Sequence, residues 1–188
     1  MMETDRFEAL IDAILAIIIT IIVMELPLPA DGTWEAFFAI GYEFVIYAIS
    51  FIVCFNFWNF NNNVFSIVNK IDAKIIWTMG IILLLFSLLP YLTTFVAENF
   101  YSFFPQFLYG LSFIITAILS MIFLELLKRA DPGNIALQIG MSNTPLIGTI
   151  ILVLIGMAIG YLAYPPAIII SCLLSILGIW FIPLLSHR

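Results

Sequence analysis

Arg6-Phe7-Glu8-Ala9-Leu10-Ile11-Asp12 opens a stretch that runs on as an Ile-dominated segment from Ala13 to Met24 and closes on Glu25-Leu26-Pro27. From Phe7 to Leu26, at about 1.5 Å per helical residue, it covers roughly 30 Å, the thickness of one bilayer hydrocarbon core. Arg6, Asp12, Thr20 and Glu25 nevertheless lie in or beside it. A charge at the centre of a membrane helix costs about 3 kcal/mol or more, so it needs a partner, a wet cavity or a task.

Composition makes the bilayer the solvent of the whole chain. Its 188 residues are 64% hydrophobic and 10% charged, with a mean hydropathy of +1.18, where soluble domains carry about a quarter charged residues. The first apolar run is too long for the h-region of a cleaved signal peptide and holds Asp12 inside it, so it reads as a retained span. Hydropathy predicts six spans, at 7–26, 34–60, 72–96, 103–127, 143–163 and 166–185, in one all-α integral membrane domain over 1–188. Turn-forming residues separate them: Pro27 to Gly32, Asn61-Asn62-Asn63, Glu98-Asn99, Lys128 to Gly133, and Tyr164-Pro165-Pro166.

The basic residues orient these spans. With six of them, Arg6, Lys70, Lys74, Lys128, Arg129 and Arg188 all fall on one side, which the positive-inside rule assigns to the cytoplasm together with both termini. The opposite side carries Glu25, Asp31, Glu35 and Glu98 without a balancing cation. Such a rim concentrates cations and repels anions, or is simply a solvated loop face that avoids positive charge for topological reasons.

At about 100° per residue, Leu10, Ala13, Ile17, Thr20, Ile21 and Met24 share one arc of the first helix, while Asp12 points elsewhere. Arg6 and Asp12, six residues apart, cannot face each other. Partners are expected on the second span, where Ser50, Asn56, Trp58, Asn59, Asn61 and Asn62 lie towards the same end. The expectation is a buried polar network of Arg6, Asp12, Ser50, Trp58 and Asn61 that fastens the inner end of the helix, with Asp12 off the permeation path. The apolar arc itself has two readings: a face for lipid or neighbouring helices, or the lining of a symmetric pore closed by Ile side chains. Periodicity does not choose between them.

Other features point to structure. Glu43 is mid-span, and Glu125 is placed for an interfacial pair with Lys128 or Arg129. Gly156-x-x-x-Gly160 suits a close helix contact, and Pro90 and Pro183 should kink their helices. Cys54 and Cys172 read as buried thiols, and His187 stands alone without a zinc-ligand set. No cofactor is expected. There is no P-loop, HExxH or Ser/His/Asp constellation, no TVGYG-like filter and no Arg-rich voltage-sensing helix, and an acidic chain does not suit nucleic acid. An enzyme is therefore not expected.

With these residues assembled, the first helix resembles that of the lysosomal potassium channel family (transmembrane protein 175), in its short prokaryotic six-helix members. Their Arg-x-x-x-Phe-Ser-Asp signature compares with Arg6 to Asp12, followed by the apolar helix with Thr20. Tyr47-x-x-Ser50-Phe51 and Trp58 are similar to the family's second-helix positions, and Leu89-Pro90-Tyr91-Leu92-Thr93 to a Pro-Phe-x-Thr element. Leu10-Ile11 departs from Phe-Ser, and Asn61-Asn62 stand where the family tends to place His; Asn can hydrogen-bond there but cannot titrate.

The resemblance implies a homotetramer in the prokaryotic cell membrane that passes K⁺ down its gradient, with the first helix lining the pore. It implies a gate at Ile17 with Thr20 beside it, Ala13, Ile21 and Met24 extending the lining, and Glu25 near the outer mouth. Since these positions share the arc found from helical angles, the pore reading is preferred. The alternatives are a proton-coupled carrier of small solutes using Asp12 and Glu43, a proton-permeable channel, and a membrane scaffold that transports nothing.

Overall fold

The computed structural model describes residues 4–186 except Asn69, with side chains up to Gly178; His187 and Arg188 lie outside the described residues. In chain order the helices are α1 (Thr4–Met24), α2 (Trp34–Ala39), α3 (Gly41–Phe65), α4 (Ala73–Ser87), α5 (Leu89–Glu98), α6 (Phe103–Ala130), α7 (Ile135–Gly140), α8 (Thr144–Leu162) and α9 (Ala167–Ser186). Five segments are long and apolar enough to cross a membrane: Thr4–Met24, Gly41–Phe65, Ala73–Glu98, Phe103–Ala130 and Ile135–Leu162. Alongside them stands α9, 20 residues long, whose backbone stays helical through Pro183.

Side chains set the helix boundaries. Asp72, Thr33 and Asn134 accept the backbone N–H groups of Ile75, Ala36 and Leu137 at 2.9, 3.2 and 3.1 Å, N-capping α4, α2 and α7. Two predicted spans are each divided. The 34–60 span breaks at Ile40 into the short α2 and the longer α3, which continues to Phe65. The 72–96 span breaks at Leu88, just ahead of Pro90, whose ring and missing N–H forbid a continuous ladder. The connection before α8 holds its own short helix, α7.

The two ends differ in charge. At one end Phe7 of α1 packs edge-on against Phe65 at 5.9 Å, and Phe65 meets Phe123 of α6. There Asn134 donates to the Ile67 carbonyl at 2.6 Å and Lys70 approaches Asp131 at 3.9 Å, so the α3–α4 and α6–α7 connections are tied together. Arg6, Lys70, Lys128 and Arg129 thus share this end, with Lys74 in the first turn of α4. At the other end Tyr42 bonds Tyr101 and Thr94 bonds Glu25.

Helix α6 contacts α4, α5, α8 and α9, while α1 rests on α3, α4 and α5. Lipid tails are as apolar as these side chains, so helices are held by close packing and hydrogen bonds rather than by escape from water. The Gly156-x-x-x-Gly160 face meets that demand. A Cβ on Gly156 would lie 2.1 Å from Ser171 Oγ of α9, and one on Gly160 would lie 2.8 Å from Ile168, whereas Gly148 faces open space. Gly156→Ala is expected to lower the thermal midpoint of the purified protein, since overpacking costs about 1–3 kcal/mol. Gly148→Ala should leave it unchanged or raise it, because alanine is the better helix former.

Candidate functional site

Helix α1 is two-faced. Phe7, Ile11, Leu15, Ile18 and Ile22 are buried against the rest of the chain. They recur every three or four residues, one stripe of a 3.6-residue helix. Turned away from it, Leu10, Ala13, Ile17, Thr20 and Met24 are uncovered, with Ile17 58% and Met24 80% exposed. Ile21 sits at the edge of this open face and also borders a neighbouring cleft. The chain therefore leaves a continuous apolar strip, about four helical turns long, without a covering element of its own.

Thr20 interrupts the strip with a hydroxyl. Its Oγ1 donates to the Ile17 carbonyl at 2.7 Å. The proton is thus used within the helix, and the oxygen lone pairs are left to accept, which suits a cation or a water rather than an anion.

Asp12 lies off the strip and accepts a hydrogen bond from Trp58 Nε1 of α3 at 3.0 Å. Of the five residues expected to form one network, the structure joins these two and places the others elsewhere. Arg6 is exposed, with no ion pair among the described residues. Asn61 is buried, but its Nδ2 turns back to the Phe57 carbonyl at 2.8 Å and its Oδ1 has no partner among the described residues.

Ser50 belongs to a different cluster, deeper in the helices. Its Oγ lies 3.0 Å from Tyr109 Oη and 2.8 Å from Thr93 Oγ1, and Thr93 donates to the Leu89 carbonyl at 2.7 Å. Each proton is used once if Tyr109 donates to Ser50 and Ser50 to Thr93, a chain that pins α3, α5 and α6 together. Tyr109 escaped the sequence reading. Its signal was a phenol about two turns inside the 103–127 span beside Gly110, since a buried Tyr hydroxyl needs a partner.

The four carboxylates expected at the rim divide into two groups. Glu25 and Glu98 line an open cleft of about 430 Å³ with Ile21, Tyr91 and Thr94, and Thr94 Oγ1 donates to Glu25 Oε2 at 3.4 Å. Asp31 and Glu35 lie around the start of α2. The hydroxyl and backbone N–H of Thr33 both donate to Asp31 and hold its carboxyl below the usual carboxylate range, so it keeps its charge in mild acid. Glu43 is half-buried in the first turn of α3. It is 15 positions before Trp58, so at about 1.5 Å per residue it lies more than 20 Å along the helix from Asp12's partner.

A family model described as the endosomal/lysosomal potassium channel TMEM175 matches residues 6–90, from α1 to the start of α5. A potassium channel of Chryseobacterium sp. (strain P1-3) is 31% identical over 183 residues, 97% of this chain and 94% of that protein. A potassium channel of Streptomyces collinus is 31% identical over 102 residues, 52% of this chain and 50% of its own length. Among solved structures, the crystal structure of a lysosomal potassium-selective channel TMEM175 homolog from Chamaesiphon minutus aligns with a TM-score of 0.69 at 21% identity. That alignment covers 92% of this chain and 94% of that one.

The Trp58–Asp12 bond ties α1 to α3. Trp58→Phe, which keeps an aromatic ring but removes the N–H together with the pyrrole ring, is expected to lower stability by at least about 1 kcal/mol. Asp12→Ala should cost at least as much and Asp12→Asn, which retains an acceptor, less. Chemical denaturation of the three purified variants checks the order.

Proposed function

The chain belongs to the TMEM175 family of potassium channels, and from that membership we propose that it conducts K⁺ passively through a pore built from four copies of α1. It is a multi-pass membrane protein. In this reading 1–188 is one domain of six spans in the prokaryotic plasma membrane, with both termini and the basic end in the cytoplasm. The observation that carries the reading is the strip from Leu10 to Met24, uncovered by its own chain while the opposite stripe of the same helix is packed. Fourfold assembly would turn those strips towards a common axis.

Ile17 would form the constriction, four branched apolar side chains that close by dewetting and widen by small rotations of α1. Thr20, one turn further out, would add a ring of oxygen acceptors beside it. Ala13 lies below, and Ile21 and Met24 extend the lining outward to Glu25. An apolar passage offers few groups to replace hydration water, so it favours K⁺, which dehydrates more easily than Na⁺. Glu25, Asp31, Glu35 and Glu98 would raise the cation concentration at the outer mouth. Asp12 would act by holding α1 in register through Trp58 and not by meeting the ion. The separation of Glu43 from Asp12 disfavours a carrier that passes protons between them.

The test is K⁺ and Na⁺ flux into liposomes holding the purified protein. K⁺ flux exceeding Na⁺ flux is expected, and Ile17→Asn should raise conductance and weaken the discrimination. Flux unaltered in Ile17→Asn would remove Ile17 from the pore, and no cation flux from folded, inserted protein would remove the channel.

A further inference from the structure

A second cavity, of about 530 Å³, lies away from the open face of α1, between α3, α4, α6 and α8. Its size falls in the range of small-molecule sites, about 300–1,000 Å³. Its mouth is at the basic end, where the exposed Asn63, Gly140 and Ser142 line it. From there it deepens to the buried Val53, Phe86, Leu89 and Ile176.

Three features of the lining define what it would hold. Its walls are mainly aromatic and aliphatic, with Phe57, Phe60, Phe86 and Phe113 around the middle. No Asp, Glu, Lys, Arg or His lines it, so an ionised group inside would lack a counter-charge. Yet Ser112, Thr116 and Ser120 bring uncharged hydroxyls from successive turns of α6, and Asn59 faces the cavity from α3. Thr149 of α8 adds a hydroxyl that is 95% buried and has no hydrogen-bond partner among the described residues. A buried hydroxyl left unpaired is destabilising, and a ligand oxygen placed against Thr149 would remove that cost.

We propose that this cavity is a binding site for a neutral single-chain amphiphile of the monoacylglycerol type. Its glycerol head would sit among Asn63, Asn59 and Ser142, and its ester would reach the Thr149 hydroxyl. Thr149 is seven residues into the protein from Ser142, about 10 Å along the helix, a depth that an acylglycerol head and ester span. The acyl chain continues past Phe57 and Phe86 towards Leu89. The site shares α3 with the Trp58–Asp12 bond but no residue with the α1 strip, so binding is read independently of ion flux.

The experiment is native mass spectrometry of the purified full chain in detergent, titrated with monoolein, with oleate as the charged-head comparison. Saturable uptake of one monoolein per chain is expected, stronger than that of oleate. The isosteric Thr149→Val should weaken it roughly fivefold, the loss of one neutral hydrogen bond, while the melting temperature without ligand stays level or rises, since an unpaired buried hydroxyl is removed. Ser120→Phe, which fills the cavity, should abolish it; if that variant does not fold, Thr149→Val decides. Equal uptake by wild type and Thr149→Val would mean general lipid coating and overturn the site. Oleate binding as tightly as monoolein would overturn the neutral-head assignment, and absence of saturable uptake would overturn both.

Discussion

The stripe Phe7, Ile11, Leu15, Ile18 and Ile22 fixes the direction in which the rest of α1 looks. A helix has one rotation about its axis, and once five residues on successive turns interlock with α3, α4 and α5 that rotation is spent. What the helix presents elsewhere follows from the remainder: Ile17 and Met24 are left uncovered, Thr20 sits between them, and Asp12 comes out to the side, within reach of Trp58. A one-residue slip of the stripe would turn Ile17 by about 100° and take the whole strip with it.

Because lipid tails compete with side chains on equal apolar terms, the few polar contacts carry a large share of the specificity. Asp12 with Trp58 sets α1 against α3, and the Ser50, Thr93 and Tyr109 hydroxyls set α3 against α5 and α6. The Asn134 bond to Ile67 ties the connections at the basic end. These fasteners stand at different depths, so α3 is held near its middle and at its basic end. The small residues act in the same sense, since Gly156 and Gly160 let α8 approach α9 more closely than any larger side chain would allow.

The two cavities differ as their depths do. The cleft at Glu25 and Glu98 is acidic, open and next to the C-terminal end of α1. The larger cavity is uncharged and apolar-walled, and it lies behind α3, away from the α1 strip. The first is lined from α1, α4 and α5 and the second mainly from α3, α4, α6 and α8, and the two share no residue.

Much of the helical layout was legible in the sequence, because hydropathy and length are properties of a segment taken alone. The break near Pro90 was legible for the same reason, whereas the break at Ile40 carries no proline or buried cap to announce it. Trp58 was among the candidate partners for Asp12, but so were Ser50 and Asn61. Only the rotation of α3, which is apolar nearly all round, decided that Trp58 faces α1, that Ser50 faces Thr93 and that Asn61 bonds its own helix. The sequence by itself determined a membrane-embedded helical chain with its basic residues confined to one end and an apolar arc from Leu10 to Met24 on the first helix. Tertiary structure alone decided which arc of that helix is packed and which is open. In a bilayer, protein interior, lipid and pore wall all accept the same apolar side chains, so the pattern of hydrophobicity does not distinguish them and only the positions of neighbouring helices do.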